Sequence, residues 1–257
     1  MDNKNQIPPV RLRPTTEYSI GTTAFFRNRP LYDVLLEELK AQGKNHYKVL
    51  FHACSIGAEV YSFIIQYVLG GYIEDFVIEI SATDLEQSFV EYARNGHYPA
   101  DILAGMSESE QSFFSTNGDN VSVIPDLKQV ANFLDASSFL DFKTDQVFDV
   151  VFLLNTLIYV QEEKQALAIA NIASYDNSLL VTSAFHMNTI KDDLVRNHYQ
   201  PILAKQEEIH NSWTDRRVDT GADALAPGIY TDWRLPAFSK IEDFEYKYCA
   251  LFRKTIV

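Results

Sequence analysis

The sequence predicts an α/β fold: a doubly wound, mostly parallel sheet with an antiparallel strand at its C-terminal edge. Short apolar runs suited to buried strands alternate with stretches of helical apolar spacing. The first run passes through a glycine turn directly into a helix, and the second closes on an aspartate, as in a mononucleotide-binding half. The chain has 257 residues and 46% hydrophobic content, enough for a single core.

Residues 1–20, with Pro8, Pro9 and Pro14, read as an extended arm. Thr22 or Thr23 is a cap for a helix starting near Ala24, in which Leu31, Val34, Leu35 and Leu39 recur until Gly43 stops it. Lys48 to Ala53 is the first strand. Cys54-Ser55-Ile56-Gly57 turns it into a helix with Val60, Tyr61, Ile64, Ile65 and Val68 inward, ended by Gly70 and Gly71. Phe76 to Ala82 is the second strand, closing at Thr83-Asp84, and Leu85 to Arg94 the next helix. In the less regular insert that follows, Ser107 and Glu110 form a capping pair and Val121 to Ile124 a small strand. Val130 to Leu134 and Gln146 to Leu153 are further strands. Glu162 to Ile172 is a helix with Ala166, Ile169 and Ala170 inward, and Ser178 to Ser183 a fifth core strand. Ile190 to His210 reads as a helix interrupted at Pro201, and Phe244 to Thr255 as a long antiparallel strand.

The net charge of −13, from 35 acidic and 22 basic side chains, sets up a field that repels polyanions, so no nucleic acid partner is expected. No apolar run approaches the roughly 20 residues of a membrane span, so membrane insertion is not expected. The opening MDNKNQIPP lacks the basic start and apolar stretch of a secretory leader, which makes the cytoplasm the expected address. Cys54 and Cys249 read as buried free thiols. Six scattered histidines offer no HExxH or His/Cys pair, and no metal site is expected. No heptad marks an oligomer.

The first turn narrows the ligand. A dinucleotide site uses GxGxxG to bring backbone amides against two phosphates. Here the turn holds one glycine, Gly57, and Glu59 follows at the mouth of the helix, where its charge opposes a pyrophosphate. A P-loop is absent. The same geometry suits a cationic ligand without phosphates. S-adenosyl-L-methionine has a sulfonium, an ammonium and two ribose hydroxyls, which Asp84 at the second strand exit is placed to accept, with Glu59 compensating positive charge. An N-cap of the following helix is the structural alternative for Asp84.

Several stretches resemble the CheR family of chemotaxis-receptor methyltransferases, which transfer a methyl group from S-adenosylmethionine to receptor glutamates. Thr23-Ala24-Phe25-Phe26-Arg27 is similar to the family's TxFFR box, and the resemblance implies that Thr23 and Arg27 hold the methionine end of the cofactor. Ala53-Cys54-Ser55-Ile56-Gly57-Ala58-Glu59-Val60-Tyr61-Ser62 resembles ACSxGEEPYS, departing at Ala58 and Val60, and makes Ala53, Gly57 and Glu59 cofactor residues. Ala82-Thr83-Asp84-Leu85 resembles ATDxD, with Glu86 in place of the second aspartate; Asp84 and Leu85 are then cofactor contacts. Phe148 to Val160 is similar to FDxIxCRNVLIYF, so that Asn155 and Tyr159 line the methyl-transfer region. Asp135, at the end of the third strand, is a candidate near adenine. These motifs imply a Rossmann-like class I methyltransferase fold and S-adenosyl-L-homocysteine as product.

The acceptor is less defined. Leu154 stands where the family has arginine, which removes a cation able to position a carboxylate. Only residues 1–22 precede the first box, so most of the family's N-terminal helical domain is expected to be lacking. The expected organisation is 1–44 as an arm and helix serving the cofactor, and 45–257 as the methyltransferase domain. Within that domain, 97–127 is a reduced docking insert and 186–235 a substrate lid. Asn155 and Tyr159 are the catalytic candidates; His186, Arg216, Arg217 and Arg234, with Tyr159, are the substrate-binding candidates. With its docking parts shortened, the chain is expected to methylate an oxygen, carboxylate or hydroxyl, of a small molecule. The alternatives are a protein-glutamate O-methyltransferase and a cofactor-binding protein without catalysis.

Overall fold

The apolar runs assemble into one sheet whose strand ends are level where the cofactor motifs leave it. The computed structural model describes residues 23–157, 160–182, 190–210, 212, 244–247 and 249–255. In chain order the elements begin with α1 (Arg29–Gln42), β1 (His46–His52), α2 (Ala58–Leu69), β2 (Val77–Ala82) and α3 (Gln87–Asn95). The insert supplies β3 (His97–Pro99), α4 (Glu108–Gln111), β4 (Phe114–Asn117), β5 (Asn120–Val123) and α5 (Pro125–Lys128). There follow β6 (Ala131–Phe133), β7 (Val150–Leu153), α6 (Glu162–Ala173), β8 (Leu179–Thr182), α7 (Lys191–Arg196), β9 (Tyr199–Pro201), a helical turn at Phe244–Lys247, and β10 (Leu251–Lys254).

The main sheet has seven strands in the order β6-β2-β1-β7-β8-β10-β9. The first five run parallel, and β10 runs antiparallel to both β8 and β9. Phe51 on β1 lies opposite Ala82 on β2 and Phe152 on β7, while Ala82 lies opposite Phe133 on β6. Side chains alternate between the two faces of the sheet. Phe51 stacks on Phe152 at 3.9 Å and 9° and packs with Tyr32 of α1 and Phe63 of α2 on one face. Leu50 and Val151 join Ile169 and Ile172 of α6 on the other.

The insert builds more than the single strand read from Val121 to Ile124. It forms a three-stranded antiparallel sheet, β3-β5-β4, with Tyr98, Phe114, Val121 and Val123 buried. Its strands are only three or four residues long and carry polar residues outward, too little periodicity to read in advance. The Ser107/Glu110 capping box forms as expected.

Four expectations of local structure change. The first helix starts at Arg29, where Asn28 Oδ1 accepts the Leu31 amide, because the preceding residues turn to satisfy a tertiary contact: Phe26, at φ +48°, donates its amide to Ser62 Oγ. The helix read from Ile190 to His210 is interrupted more widely than at Pro201 alone: α7 stops at Arg196, with His198 at φ +64° beyond it, Tyr199–Pro201 becomes the outer strand, where proline's missing N–H forfeits no ladder bond, and helical geometry resumes over 206–210. The final strand is confined to Leu251–Lys254 and is preceded by helical residues at Phe244–Lys247. The inward face of α6 is also rotated: Ala168, Ile169 and Ile172 are buried while Ala170 is exposed.

The crossover from β6 to β7 has no helix; residues 134–149 run over the sheet as a loop. Asn171 of α6 fastens that loop, its Nδ2 donating to the carbonyls of Phe139 (2.9 Å) and Phe142 (3.2 Å) while Oδ1 accepts from Lys143 Nζ. Beneath it lies His52, caged by Phe139, Phe142 and Tyr175, with neither ring nitrogen bonded among the described residues. Burial pushes its imidazole down to about 3, so it folds neutral. An unfolded histidine titrates near 6.5, so the unfolded chain takes up a proton that the native one refuses as pH falls from 6.5 toward 3. The stability attached to His52 is therefore complete above 6.5 and lost on acidification, about 2 kcal/mol by pH 5. Urea unfolding of His52→Leu at pH 7 and pH 5 is expected to show an acid-induced loss smaller than that of the unaltered chain by about that amount.

Candidate cofactor site

The site is built at the level ends of β1, β2, β6 and β7. Leaving β1, the chain places Ala53 at φ +51°, Ser55 at +49° and Gly57 at +83°, three left-handed residues within five positions. For alanine and serine this conformation is strained, and it persists only where neighbours enforce it. The Cys54 amide donates to the Thr83 carbonyl at 3.0 Å, the Gly57 amide to the Cys54 carbonyl at 2.9 Å, and the Ser55 amide to Asp84 Oδ2 at 2.7 Å. A Cβ on Gly57 would lie 2.8 Å from Ala93 Cβ, so glycine is required both for its φ and for the close approach of α3.

Asp84 is buried. Loss of water raises its carboxyl above the ordinary aspartate value, and amide hydrogen bonds from Glu86 and Ser55 oppose that rise. The Glu86 amide reaches Oδ1 at 3.1 Å in a turn ahead of α3, but the N-cap of that helix is Glu86 and no side chain caps it, so Asp84 clamps the β1 loop and is not the N-cap of the structural alternative. Both contacts leave acceptor capacity on its oxygens, because a carboxylate has about four lone-pair sites.

Arg27 and Glu59 meet. Arg27 Nη1 donates to Glu59 Oε1 at 3.0 Å, with both side chains largely buried. The segment 23–27 and the start of α2 thus present a guanidinium and a carboxylate together, a pair complementary to the carboxylate and ammonium of an amino acid. Thr23 Oγ1 and Ser55 Oγ are buried without a hydrogen-bond partner among the described residues. Such atoms are rare in native interiors, and these two fall in the two segments assigned to the methionine end. The donor set fits S-adenosylmethionine.

At the third strand exit Asp135 is exposed, and its carbonyl accepts from Thr83 Oγ1 at 2.9 Å, which brings 135–137 alongside Asp84. Leu85 is 66% exposed. Asn155, at φ +53°, turns the chain after β7, and Leu154 is buried in the core on the α1 and α2 side. Tyr159, His186, Arg216, Arg217 and Arg234 lie outside the described residues. Sequence reasoning missed Ser55, Thr83, Ser137 and Tyr98. The first two stood inside quoted motifs as hydroxyls beside the strand exits, whereas Ser137, 3.0 Å from Thr83 Oγ1, carried no signal.

A five-strand parallel array, an antiparallel closing strand and a phosphate-free glycine loop define an S-adenosylmethionine-binding domain of the class I methyltransferase type. Residues 21–187 match the family described as CheR methyltransferase, SAM binding domain, which is more than half of the chain, and the chain belongs to that family. The chemotaxis protein methyltransferase of Listeria innocua serovar 6a is 30% identical over 150 residues, 56% of this chain and 56% of the relative. That of Borreliella burgdorferi is 25% identical over 192 residues, 70% of this chain and 66% of the relative. The chain spans about half the length of the first curated relatives it matches. Among solved structures, magnesium protoporphyrin IX methyltransferase from Synechocystis PCC 6803 with bound SAM superposes at TM-score 0.42 with 15% identity over 68% of this chain and 70% of that one. Among the described residues no helix is long and apolar enough to cross a membrane.

Asp84→Asn keeps one acceptor oxygen but loses the charge, and is expected to weaken S-adenosylhomocysteine binding by about tenfold or more in calorimetry, the size of a lost charged hydrogen bond. Gly57→Ala is expected to cost about 2–4 kcal/mol in urea unfolding, combining backbone strain with the clash against Ala93.

Proposed function

We propose that this chain transfers the methyl group of S-adenosylmethionine to a glutamate side-chain carboxylate in a protein. The observation that supports this is the unbroken family match over 21–187, which takes in the 23–27 segment, the β1 loop, Asp84, the small sheet and Asn155. The expectation of a small-molecule acceptor rested on shortened docking parts, the insert among them, and on Leu154. That insert folds as a three-stranded sheet with polar residues outward and, among the described residues, no further strand on either edge, a surface suited to a protein partner.

S-adenosylmethionine, when bound, supplies a methyl group already activated by its sulfonium. The chain's part is alignment and exclusion of water. Arg27 and Glu59 hold the amino-acid end, Asp84 accepts from the ribose hydroxyls, and the backbone of 53–57 fixes the position of the reacting end. No residue has to take a proton from the acceptor, because a glutamate carboxylate is ionised near neutral pH. Asn155, and Tyr159 beyond it, are proposed to border the methyl group and orient the acceptor oxygen. Leu154 contributes no charge there, so we assign the cation that meets the acceptor to Arg216, Arg217 or Arg234.

The test is incubation with methyl-labelled S-adenosylmethionine and the glutamate-bearing cytoplasmic portion of a chemotaxis receptor. Label is expected in the protein fraction and released as methanol by mild base, the behaviour of a carboxyl methyl ester, with transfer reduced at least tenfold in Asp84→Asn. Base-stable label would sink the carboxylate acceptor. Tight S-adenosylhomocysteine binding without transfer to any protein would favour the non-catalytic reading.

A further inference from the structure

Tyr98 begins the small sheet, yet its hydroxyl belongs to the cofactor loop. It lies on β3, 1% exposed, and donates to the Ile56 carbonyl at 2.6 Å. Ile56 stands between Ser55 and Gly57, two of the three left-handed residues of the loop. Two further restraints on the loop, the Thr83 carbonyl and the Asp84 carboxylate, come from the β2 exit. Tyr98 holds it from the side of the insert.

The same ring also reaches the N-terminal box. Its centroid is 4.9 Å from Phe25 in an edge arrangement at 89°, and Phe25 in turn lies 5.4 Å from Phe114 on β4. Phe25 is two residues from Thr23 and from Arg27. Both chain segments that face the amino-acid end of the cofactor are thus anchored on one side of the small sheet. The phenol is deeply buried, which raises its pKa and keeps it a hydrogen-bond donor throughout the neutral range.

We infer that Tyr98 is a positioning residue for cofactor binding and that the three-stranded insert is part of the cofactor site's scaffold, not only an appendage for partners. This rests on the cofactor assignment above. A loop with strained residues has competing relaxed conformations, and a single hydrogen bond to its central carbonyl biases that equilibrium toward the binding-competent one. Losing the hydroxyl while keeping the ring leaves the packing with Phe25 in place and frees only the loop.

The experiment compares Tyr98→Phe with Tyr199→Phe. The control also loses one buried hydroxyl, which in this case contacts Asn177 Oδ1 at 2.7 Å on the outer strand of the main sheet. S-adenosylhomocysteine affinity is measured by calorimetry, and amide exchange over residues 54–59 is followed in the ligand-free protein. Tyr98→Phe is expected to lose about three- to tenfold in affinity, the worth of one hydrogen bond, and to exchange faster in the loop. Tyr199→Phe is expected to match the unaltered chain on both counts while sharing any loss in melting temperature. Equal affinity and equal loop exchange for Tyr98→Phe would overturn the inference, as would a lowered melting temperature with no change in either readout. If the unaltered chain does not bind S-adenosylhomocysteine, the cofactor assignment falls on its own, and the exchange comparison still decides whether Tyr98 holds the loop.

Discussion

The crevice depends on one buried carboxylate. Asp84 accepts the Ser55 amide from the β1 loop and the Glu86 amide from the start of α3, so a single side chain joins the exits of two adjacent strands. Removing such a group from water is unfavourable, and the raised pKa records that cost. The arrangement is maintained because the amides it receives would otherwise be unsatisfied in the same interior. On the proposed reading, a carboxylate already ordered by the fold needs no reorganisation when hydroxyl donors arrive, which lowers the ordering cost of binding.

The loop it clamps could not be stable alone. Ala53 and Ser55 sit where L-residues are disfavoured, and Gly57 fits only because it has no Cβ. Level strand ends provide the frame: with Phe51 beside Ala82 and Phe152, the loop and the β2 and β7 exits emerge at one height. The core beneath, closed by the Phe51–Phe152 stack, provides the rigidity that a strained loop needs. The conformation of the loop is thus held in part by core residues lying beneath the strand exits.

Much of this was legible in the residues. The parallel array followed from short apolar runs, and the glycine turn and Asp84 were read at the exits of adjacent strands, where the structure has them; such exits are where ligands bind in sheets of this kind, which makes this the candidate site. What escaped reading was set by contacts distant in sequence. Phe26 leaves helical geometry for Ser62, 36 residues away, and Tyr98 reaches Ile56 across 42. Tyr199–Pro201 is a strand only because β10 returns beside it near the C-terminus. Local propensity has no access to such partners, and over three or four residues it is too weak to resist them.

Electrostatics ties the cofactor end of the crevice to the choice of acceptor. Arg27 and Glu59 neutralise each other, and Leu154 is buried and apolar, so these residues give the crevice no net positive charge. The chain as a whole carries −13, which repels a free carboxylate during approach. A small anionic acceptor would have to overcome that field with the energy of its own few contacts. A glutamate on a docked protein does not, because binding at a separate surface holds it at high local concentration before the carboxylate meets the site. The small sheet is linked through Tyr98 to the Ile56 carbonyl of the β1 loop and to Phe25 of the N-terminal box, so on the proposed reading a partner docked there would also bear on those segments. On the proposed reading, the absence of a fixed cation on β7 and the presence of a structured insert are two sides of one arrangement, in which affinity for the acceptor comes from the protein that carries it.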